Sequence, residues 1–246
     1  MRIYHPSMLL TDFKFRWVAL LAVVAGLVLF IELGLWQTHK GDRLQAQLDQ
    51  RAARQHNVAT RITADLVDAA ALQDAPITVA GVYEPERQFF LDNRQENGQP
   101  GVHVITPLRI EGSDVRILVN RGWIGWTQGR SVLPQVSTPA GPVQVSGVAL
   151  VPSTKPFFLM SERPEASARL WLRIDLARFA ARSGQSVQPV VVQQNQDDAS
   201  DGLIRHWPPP ENRVGTHRGY AFQWFGMALA LLVFYLVAVF RKKGQS

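Results

Sequence analysis

The stretch from Trp17 to Leu35 reads WVALLAVVAGLVLFIELGL and decides the fold class. Its only charge is Glu32, in the last turn of the helix that these residues would form. At 1.5 Å per residue, such a helix spans roughly 28 Å, about the thickness of a bilayer core. A basic leader followed by an apolar stretch also suits a cleavable signal peptide, but here no small-x-small cleavage pattern follows. We therefore predict an uncleaved transmembrane helix over residues 17–36.

A second apolar stretch, YAFQWFGMALALLVFYLVAVF, runs from Tyr220 to Phe240 and has no charge. Basic residues lie just outside both stretches: Arg2, Lys14 and Arg16 before the first, and Arg241, Lys242 and Lys243 after the second. Because short cytoplasmic flanks are enriched in Lys and Arg, we expect both termini in the cytoplasm of a bacterial cell. The predicted segments are a cytoplasmic leader (1–16), a transmembrane helix (17–36), a periplasmic domain (37–219), a second plasma-membrane helix (220–240) and a basic cytoplasmic tail (241–246).

The charge distribution agrees with this topology and argues against a nucleic-acid partner. Of the net charge of +6, most comes from the two flanks, since the exterior segment has 20 Lys and Arg against 18 Asp and Glu. Binding to phosphates needs a basic patch, which membrane flanks do not supply. The mean hydropathy of −0.04 is then an average over two apolar spans and a polar exterior segment. The chain has no Cys, which excludes disulfides, thiolate metal ligands and a thiol nucleophile.

The exterior segment contains short runs rich in Val, Ile and aromatic residues, bounded by Gly, Pro or Asn, which predict strands. These runs cover residues 76–83, 88–92, 101–109, 115–123, 142–150 and 188–193. A helix is predicted over residues 175–183, with Asp175 as its N-cap and Gly184 after it. The fold class is therefore an α+β membrane protein, in which two terminal transmembrane helices flank one β-rich exterior domain, either barrel-like or a curved antiparallel sheet.

The connections between these elements give four further expectations. Residues 37–71 should continue the first helix beyond the membrane, with a break near His56 and Asn57. Asn97-Gly98 indicates a turn in a loop longer than a two-residue hairpin. Residues 195–205 are expected to form a polar loop, and residues 207–210 (WPPP) a stiff connector.

A search for enzyme chemistry finds no metalloprotease, phosphate-binding, nucleophile-elbow or dinucleotide motif. The acidic pairs Glu84/Glu86 and Asp197/Asp198 lie in polar segments and are expected to be solvated. These observations argue against a hydrolase. Among its histidines, His103 is expected to be an ordinary sheet residue.

His217 differs from the other histidines because it lies in the first turn of the second apolar helix. A helix starting near Thr216 would place His217, Tyr220, Ala221 and Trp224 on one face, at spacings of three and four residues. There the imidazole could ligate the iron of a flat macrocycle, for which Ala221 leaves room. An ordinary interfacial aromatic belt explains the same pattern equally well. His39 is a conceivable second ligand or a neutral interfacial residue.

Several motifs in fixed order resemble the surfeit-locus cytochrome c oxidase assembly family. They are Leu33-Gly34-Leu35-Trp36-Gln37, Gly81-Val82-Tyr83, Asn93-Arg94, Gly101 before Thr106-Pro107-Leu108, Leu118-Val119-Asn120-Arg121-Gly122-Trp123, and His217-x-x-Tyr220-Ala221-x-x-Trp224-Phe225. Residues 211–215 (ENRVG) depart from the Asn-Asn-His form associated with many members. The resemblance extends along nearly the whole chain.

The resemblance implies a non-enzymatic assembly factor for haem–copper cytochrome c oxidase. Such a factor acts on subunit I, together with other oxidase assembly factors, and assists the insertion or retention of haem a. By position, His217 becomes the candidate ligand of the haem iron. The resemblance adds three groups of lesser weight: Tyr220, Ala221 and Trp224 shaping the site, Trp36 and Gln37 as a second wall, and Arg94 and Arg121 pairing with haem propionates or a partner loop. For the two arginines, closing a strand end onto a nearby carboxylate is at least as good an explanation. A membrane scaffold that binds oxidase subunits without haem is the alternative function.

Overall fold

The computed structural model describes residues 7–127, 129–130, 132–153, 169–196, 201–208 and 212–243. It divides into two compact units, one comprising Met1–Asp49 and Pro210–Ser246, the other Gln50–Pro209. The predicted pairs and segments at Asp197/Asp198, at residues 209–210 and at Glu211 lie outside the described residues. We describe each unit separately.

The first unit consists of two long helices. Helix α1 covers Ser7–Gln55 and α4 covers Val214–Lys243. Both are long and apolar enough to cross a membrane, and the apolar part of each is almost entirely exposed to the surroundings. Such exposure suits lipid contact rather than a soluble core, so the two predicted membrane helices are confirmed as candidate spans. The helix expected over residues 37–71 is confirmed only as far as Gln55, where α1 ends.

The second unit is an eight-stranded sheet with two short helices. Its elements are β1 (Thr60–Ile62), α2 (Ala69–Leu72), β2 (Pro76–Tyr83), a 3₁₀ turn (Pro85–Arg87), β3 (Phe89–Glu96), β4 (Gln99–Ile110), β5 (Arg116–Gly125), β6 (Pro142–Leu150), β7 (Leu170–Trp171), α3 (Leu176–Ser183) and β8 (Val187–Gln194). The strand order is β1-β2-β6-β8-β5-β4-β3-β7, with a further pairing between β2 and β4. That pairing closes β2, β6, β8, β5 and β4 into a ring, which confirms the barrel-like expectation.

The sheet is mixed rather than wholly antiparallel. Three pairings are parallel: β1 with β2, β3 with β7, and β5 with β8. Strand β5 runs through the middle of the unit, and alternate residues face two different core clusters. Ile117 and Val119 pack in the cluster inside the ring, whereas Leu118 packs with Phe179 of α3. Burial on both faces explains why Ile117, Leu118 and Val119 are consecutive apolar residues.

The hairpin between β3 and β4 corrects one prediction. Glu96 pairs with Gln99, so Asn97-Gly98 is a two-residue turn and not part of a longer loop. Both turn residues have positive φ, 49° and 77°, as a hairpin turn of this kind requires. The predicted loop was too long because both strands extend beyond the ends that residue preferences suggested.

Candidate functional site

His217 contacts the facing helix through its ring. Its Nδ1 lies 2.8 Å from Oε1 of Gln37, which is on α1. An amide oxygen can only accept a hydrogen bond, so the imidazole donates from Nδ1. In a neutral ring this leaves the lone pair on Nε2. The contact therefore selects the tautomer in which Nε2 can bind a metal, as an outer hydrogen bond does for many ligating histidines.

Small residues allow the two helices to approach closely at this point. Gly41 lies beside His217, since a Cβ added to Gly41 would be 3.4 Å from the His217 Cβ. About two turns towards the membrane, a Cβ on Gly34 would be 2.6 to 2.9 Å from three atoms of the Phe225 ring. Ala221, one turn after His217, is 5% exposed. The close packing holds Gln37 and His217 within hydrogen-bond distance.

Aromatic residues surround the pair on both helices. Trp224 stacks against Phe30 of α1, with ring centroids 5.9 Å apart and an interplanar angle of 30°. Tyr220 and Trp36 instead face outward, at 49% and 54% exposure. Lys40 lies over the Trp36 ring, 5.0 Å from its centroid. Of the predicted site residues, the structure brings Gln37, His217, Ala221 and Trp224 to the helix contact and leaves Tyr220 and Trp36 on the outer surface.

The donor chemistry of this site fits axial ligation of a haem iron. Within the described residues, no three His, Asp or Glu side chains cluster as they would for a bare metal ion. A lone, oriented imidazole on an apolar helix is instead the arrangement in which a macrocycle supplies the remaining ligands. Ala221, one turn along the same face of α4, is 5% exposed, so this position leaves little open space.

Arg121 lies in the sheet unit, at a β-bulge. Gly122 pairs with Val104 and Asn120 with Ile105, so Arg121 is the extra residue of β5. Gly122 has φ = 138°, a backbone conformation that residues with a Cβ rarely adopt. The bulge turns the Arg121 guanidinium inward, where it is 1% exposed and donates to Asp201, 2.8 Å away.

Asp201 holds a second arginine as well. Its Oδ2 accepts from Arg205 at 2.6 Å and from Arg121 at 2.8 Å. Burial raises the pKa of Asp201, but the hydrogen bonds from Arg205 and from the Leu203 amide, and the charges of both arginines, outweigh this and lower the pKa overall. Arg121 therefore binds a neighbouring carboxylate, as in the alternative to a propionate contact, but it does so from a bulge inside β5 and not from a strand end.

Arg94 follows a second bulge, between Leu91 and Arg94 of β3. Asn93 in this bulge has φ = 59°. The guanidinium donates to the carbonyl of Leu172 at 3.4 Å, and its Nε is buried without a partner among the described residues. Burial lowers the pKa of Arg94, and the nearby Asp92 opposes this. Within the described parts of the chain, no carboxylate lies within ion-pair distance of Arg94 as Asp201 does of Arg121.

His103 is a sheet residue, as predicted. Its Nδ1 lies 3.2 Å from the amide nitrogen of Asn120, and its ring packs edge-on against Trp207. Burial lowers the pKa of His103 to about 4, the charge of Arg94 adds to this effect, and Glu96 opposes it. A neutral ring held in this way belongs to the packing of the sheet.

Comparison with known proteins identifies the family. A sequence model of the SURF1 family matches residues 24–229. The chain belongs to the SURF1 family. A SURF1-like protein of Rickettsia bellii is 26% identical over 227 residues, covering 88% of this chain and 89% of that protein. Surfeit locus protein 1 of Homo sapiens is 25% identical over 241 residues, covering 89% of this chain and 75% of that protein. Surfeit locus protein 1 of Xenopus tropicalis is 22% identical over 246 residues, covering 94% and 78%.

In this SURF1-family chain, sequence reasoning missed the carboxylate that holds Arg121. Asp201 lies in a stretch without periodicity, and its role depends on the isolated bridge between Trp123 and Ile204, which brings that stretch beside β5. The sequence offers two signals at Asp201: it lies four residues before Arg205, and it forms with Gly202 an Asp-Gly pair of the kind found in turns. Neither signal says which strand the stretch joins.

Proposed function

We propose that this SURF1-family protein is a membrane-bound assembly factor for haem–copper cytochrome c oxidase, which holds haem a for subunit I through His217. The observation that carries the proposal is the 2.8 Å hydrogen bond from His217 to Gln37. It orients the imidazole on a candidate membrane helix, and Nε2 has no hydrogen bond to the part of the chain that the structure describes. Family membership and the resemblance described above supply the oxidase as the destination.

The chain's own residues would hold such a cofactor by orientation and by exclusion of water. When bound, the haem would supply an iron that the imidazole of His217 could ligate. Gln37 keeps the imidazole in one tautomer and one ring orientation. The Trp224–Phe30 stack closes the side towards the membrane, and Tyr220 offers an exposed aromatic face on the open flank. Arg121 has no part in this proposal because Asp201 and the surrounding sheet already hold its guanidinium.

The proposed topology places the sheet unit in the periplasm and both termini in the cytoplasm of a bacterial cell. It is supported by the basic residues outside both apolar stretches. Because the chain has no cysteine, single substitutions test it directly. Val58 is 92% exposed in the sheet unit, so Val58→Cys should react with a membrane-impermeant maleimide in intact spheroplasts. Ser246→Cys should react only after permeabilisation, and the reverse pattern would contradict the topology.

The haem proposal is tested by absorption spectroscopy of the full chain, purified in detergent from cells that make haem a. The wild type should show a Soret band and bound haem by extraction, and His217→Ala should lose both. His39→Ala is the matched control, since His39 is an exposed histidine on the facing helix. An unchanged haem content in His217→Ala, or no haem in the wild type, would contradict the ligand assignment.

A scaffold without haem is the second candidate, and one observation favours it. Ala221 is only 5% exposed, so the position that was expected to leave room for a ring is already covered. Under this alternative the exposed apolar surfaces of α1 and α4 dock on oxidase subunits. An epitope-tagged chain should then bring down subunit I equally well as wild type and as His217→Ala. Loss of subunit I in His217→Ala would count against the scaffold.

A further inference from the structure

A cavity of about 190 Å³ opens on the sheet unit where the 3₁₀ turn, β3, β7 and α3 meet. Its floor is formed by Phe89, Trp171 and Phe179, all buried. Phe89 and Trp171 stack with centroids 4.2 Å apart, and Phe89 lies 6.3 Å from Phe179. The floor is therefore rigid and apolar. It belongs to neither the helix contact nor the Asp201 network.

The rim of this cavity is basic. Arg87, Arg169 and Arg182 line it against a single acidic residue, Glu86. The charge of Arg87 is offset by ion pairs with Glu84, at 3.5 Å, and with Glu86, at 3.9 Å. Arg169 and Arg182 have no carboxylate within ion-pair distance among the described residues, so the surplus positive charge belongs to these two. The surplus is local, because the exterior segment as a whole is nearly neutral.

Two of the rim arginines are held in place by backbone contacts. Arg169 donates from Nε to the carbonyl of Gln88 at 2.9 Å, which leaves its two terminal nitrogens for a ligand. Arg87 donates to the carbonyl of Ser183 at 3.3 Å and so joins the turn to the end of α3. A fixed guanidinium loses little entropy when its fork binds a carboxylate or phosphate in a bidentate manner. An apolar floor beneath the fork strengthens the attraction, because it focuses the field.

We infer that this cavity, the arginine pocket, receives an acidic side chain or carboxylate from a protein segment that docks on the sheet unit. The volume of the cavity indicates whether it encloses a whole small molecule or only one group of a larger partner. Small-molecule sites usually enclose roughly 300 Å³ or more. The arginine pocket is smaller and takes one anionic group. The partner is therefore an acidic protein segment that makes its other contacts outside the pocket.

Binding of a hexaglutamate peptide to the full chain in detergent tests this inference, with calorimetry at low and at moderate salt. The wild type should bind saturably and lose affinity as salt rises. Arg182→Glu should weaken binding at least tenfold, and Arg182→Gln less. Arg182 makes no hydrogen bond or ion pair with other described residues, so these changes remove no structural contact. Arg169→Lys keeps the charge but loses the fork, and should weaken binding by a smaller factor than Arg182→Glu.

The matched control is Arg61→Glu on β1, whose side chain is 72% exposed and outside the pocket. It carries the same change in net charge and should leave the affinity within twofold of the wild type. Equal weakening by Arg61→Glu and Arg182→Glu would overturn the inference, because only net charge would then matter. Inorganic phosphate binding as tightly as the peptide would overturn the assignment of a protein segment. Neither result depends on haem.

Discussion

Replacing Gln37 by Leu tests whether its hydrogen bond to His217 prepares a metal ligand. Leu is close in size but cannot accept the proton on Nδ1, so the ring gains a second tautomer and rotational freedom. Loss of an outer hydrogen-bond partner typically costs 10- to 100-fold in affinity for the metal, or about 1.4 to 2.7 kcal/mol. Because His217 is the one protein ligand proposed here, we expect Gln37→Leu to fall within this range.

The assay is a titration of haem into apoprotein in detergent, followed at the Soret band. Gln47→Leu is the matched control, because Gln47 is an exposed glutamine of the same helix, away from His217. Gln37→Glu should retain binding and lower the reduction potential of bound haem, since a carboxylate acceptor makes the imidazole a stronger donor. If Gln37→Leu binds haem within twofold of the wild type while His217→Ala does not bind, the contact does not prepare the ligand.

Three further changes probe packing and charge. Asp201→Asn leaves two buried guanidiniums without their carboxylate and should cost about 3–5 kcal/mol of unfolding free energy in urea; a loss below 1 kcal/mol would refute the network's role. Gly34→Ala places a methyl group against the Phe225 ring, so it should lower the stability of the helix pair by about 1–3 kcal/mol and reduce the haem content. Gly219→Ala has open space around the added methyl group and should change neither property. Burial lowers the pKa of His103 from 6.5 to about 4 in the folded protein, so the unfolded chain takes up this proton first as the pH falls. The free energy of unfolding of the sheet unit should therefore be full above pH 6.5 and fall by about 2–3 kcal/mol towards pH 4. His103→Gln should remove that part of the decline in urea midpoints, and an unchanged decline would show that another group titrates.

Local pattern was enough to predict the strands whose burial alternates regularly. Strands β2 and β6 have the predicted bounds because alternate residues face the core along their length. Strands β1 and β7 were missed because they are three and two residues long. Pieces so short form only through pairing with β2 and β3, and no local preference reports that pairing. The parallel pairings were missed because local sequence preferences do not report which strands pair or in which direction.

The candidate site was predictable only as far as the helix pattern reaches. Helical spacing placed His217 and Ala221 on one face, and the structure puts that face against α1. The partner of the ring, Gln37, came from the resemblance, because the pairing of two helices 180 residues apart has no signature in either helix alone. The fate of Arg121 was undecided for a similar reason, since its carboxylate comes from a stretch 80 residues away.

The closed ring of strands limits where the sheet unit can pair with a second copy of the chain. An open sheet offers unpaired backbone on which a second chain can polymerise. Here β2, β6, β8, β5 and β4 each pair on both sides, so among the described strands the unpaired backbone lies at β1, at β7 and along the part of β3 beyond its short pairing with β7. The ring strands therefore offer no edge to a second chain, and self-association through the sheet would have to start from β1, β7 or that part of β3.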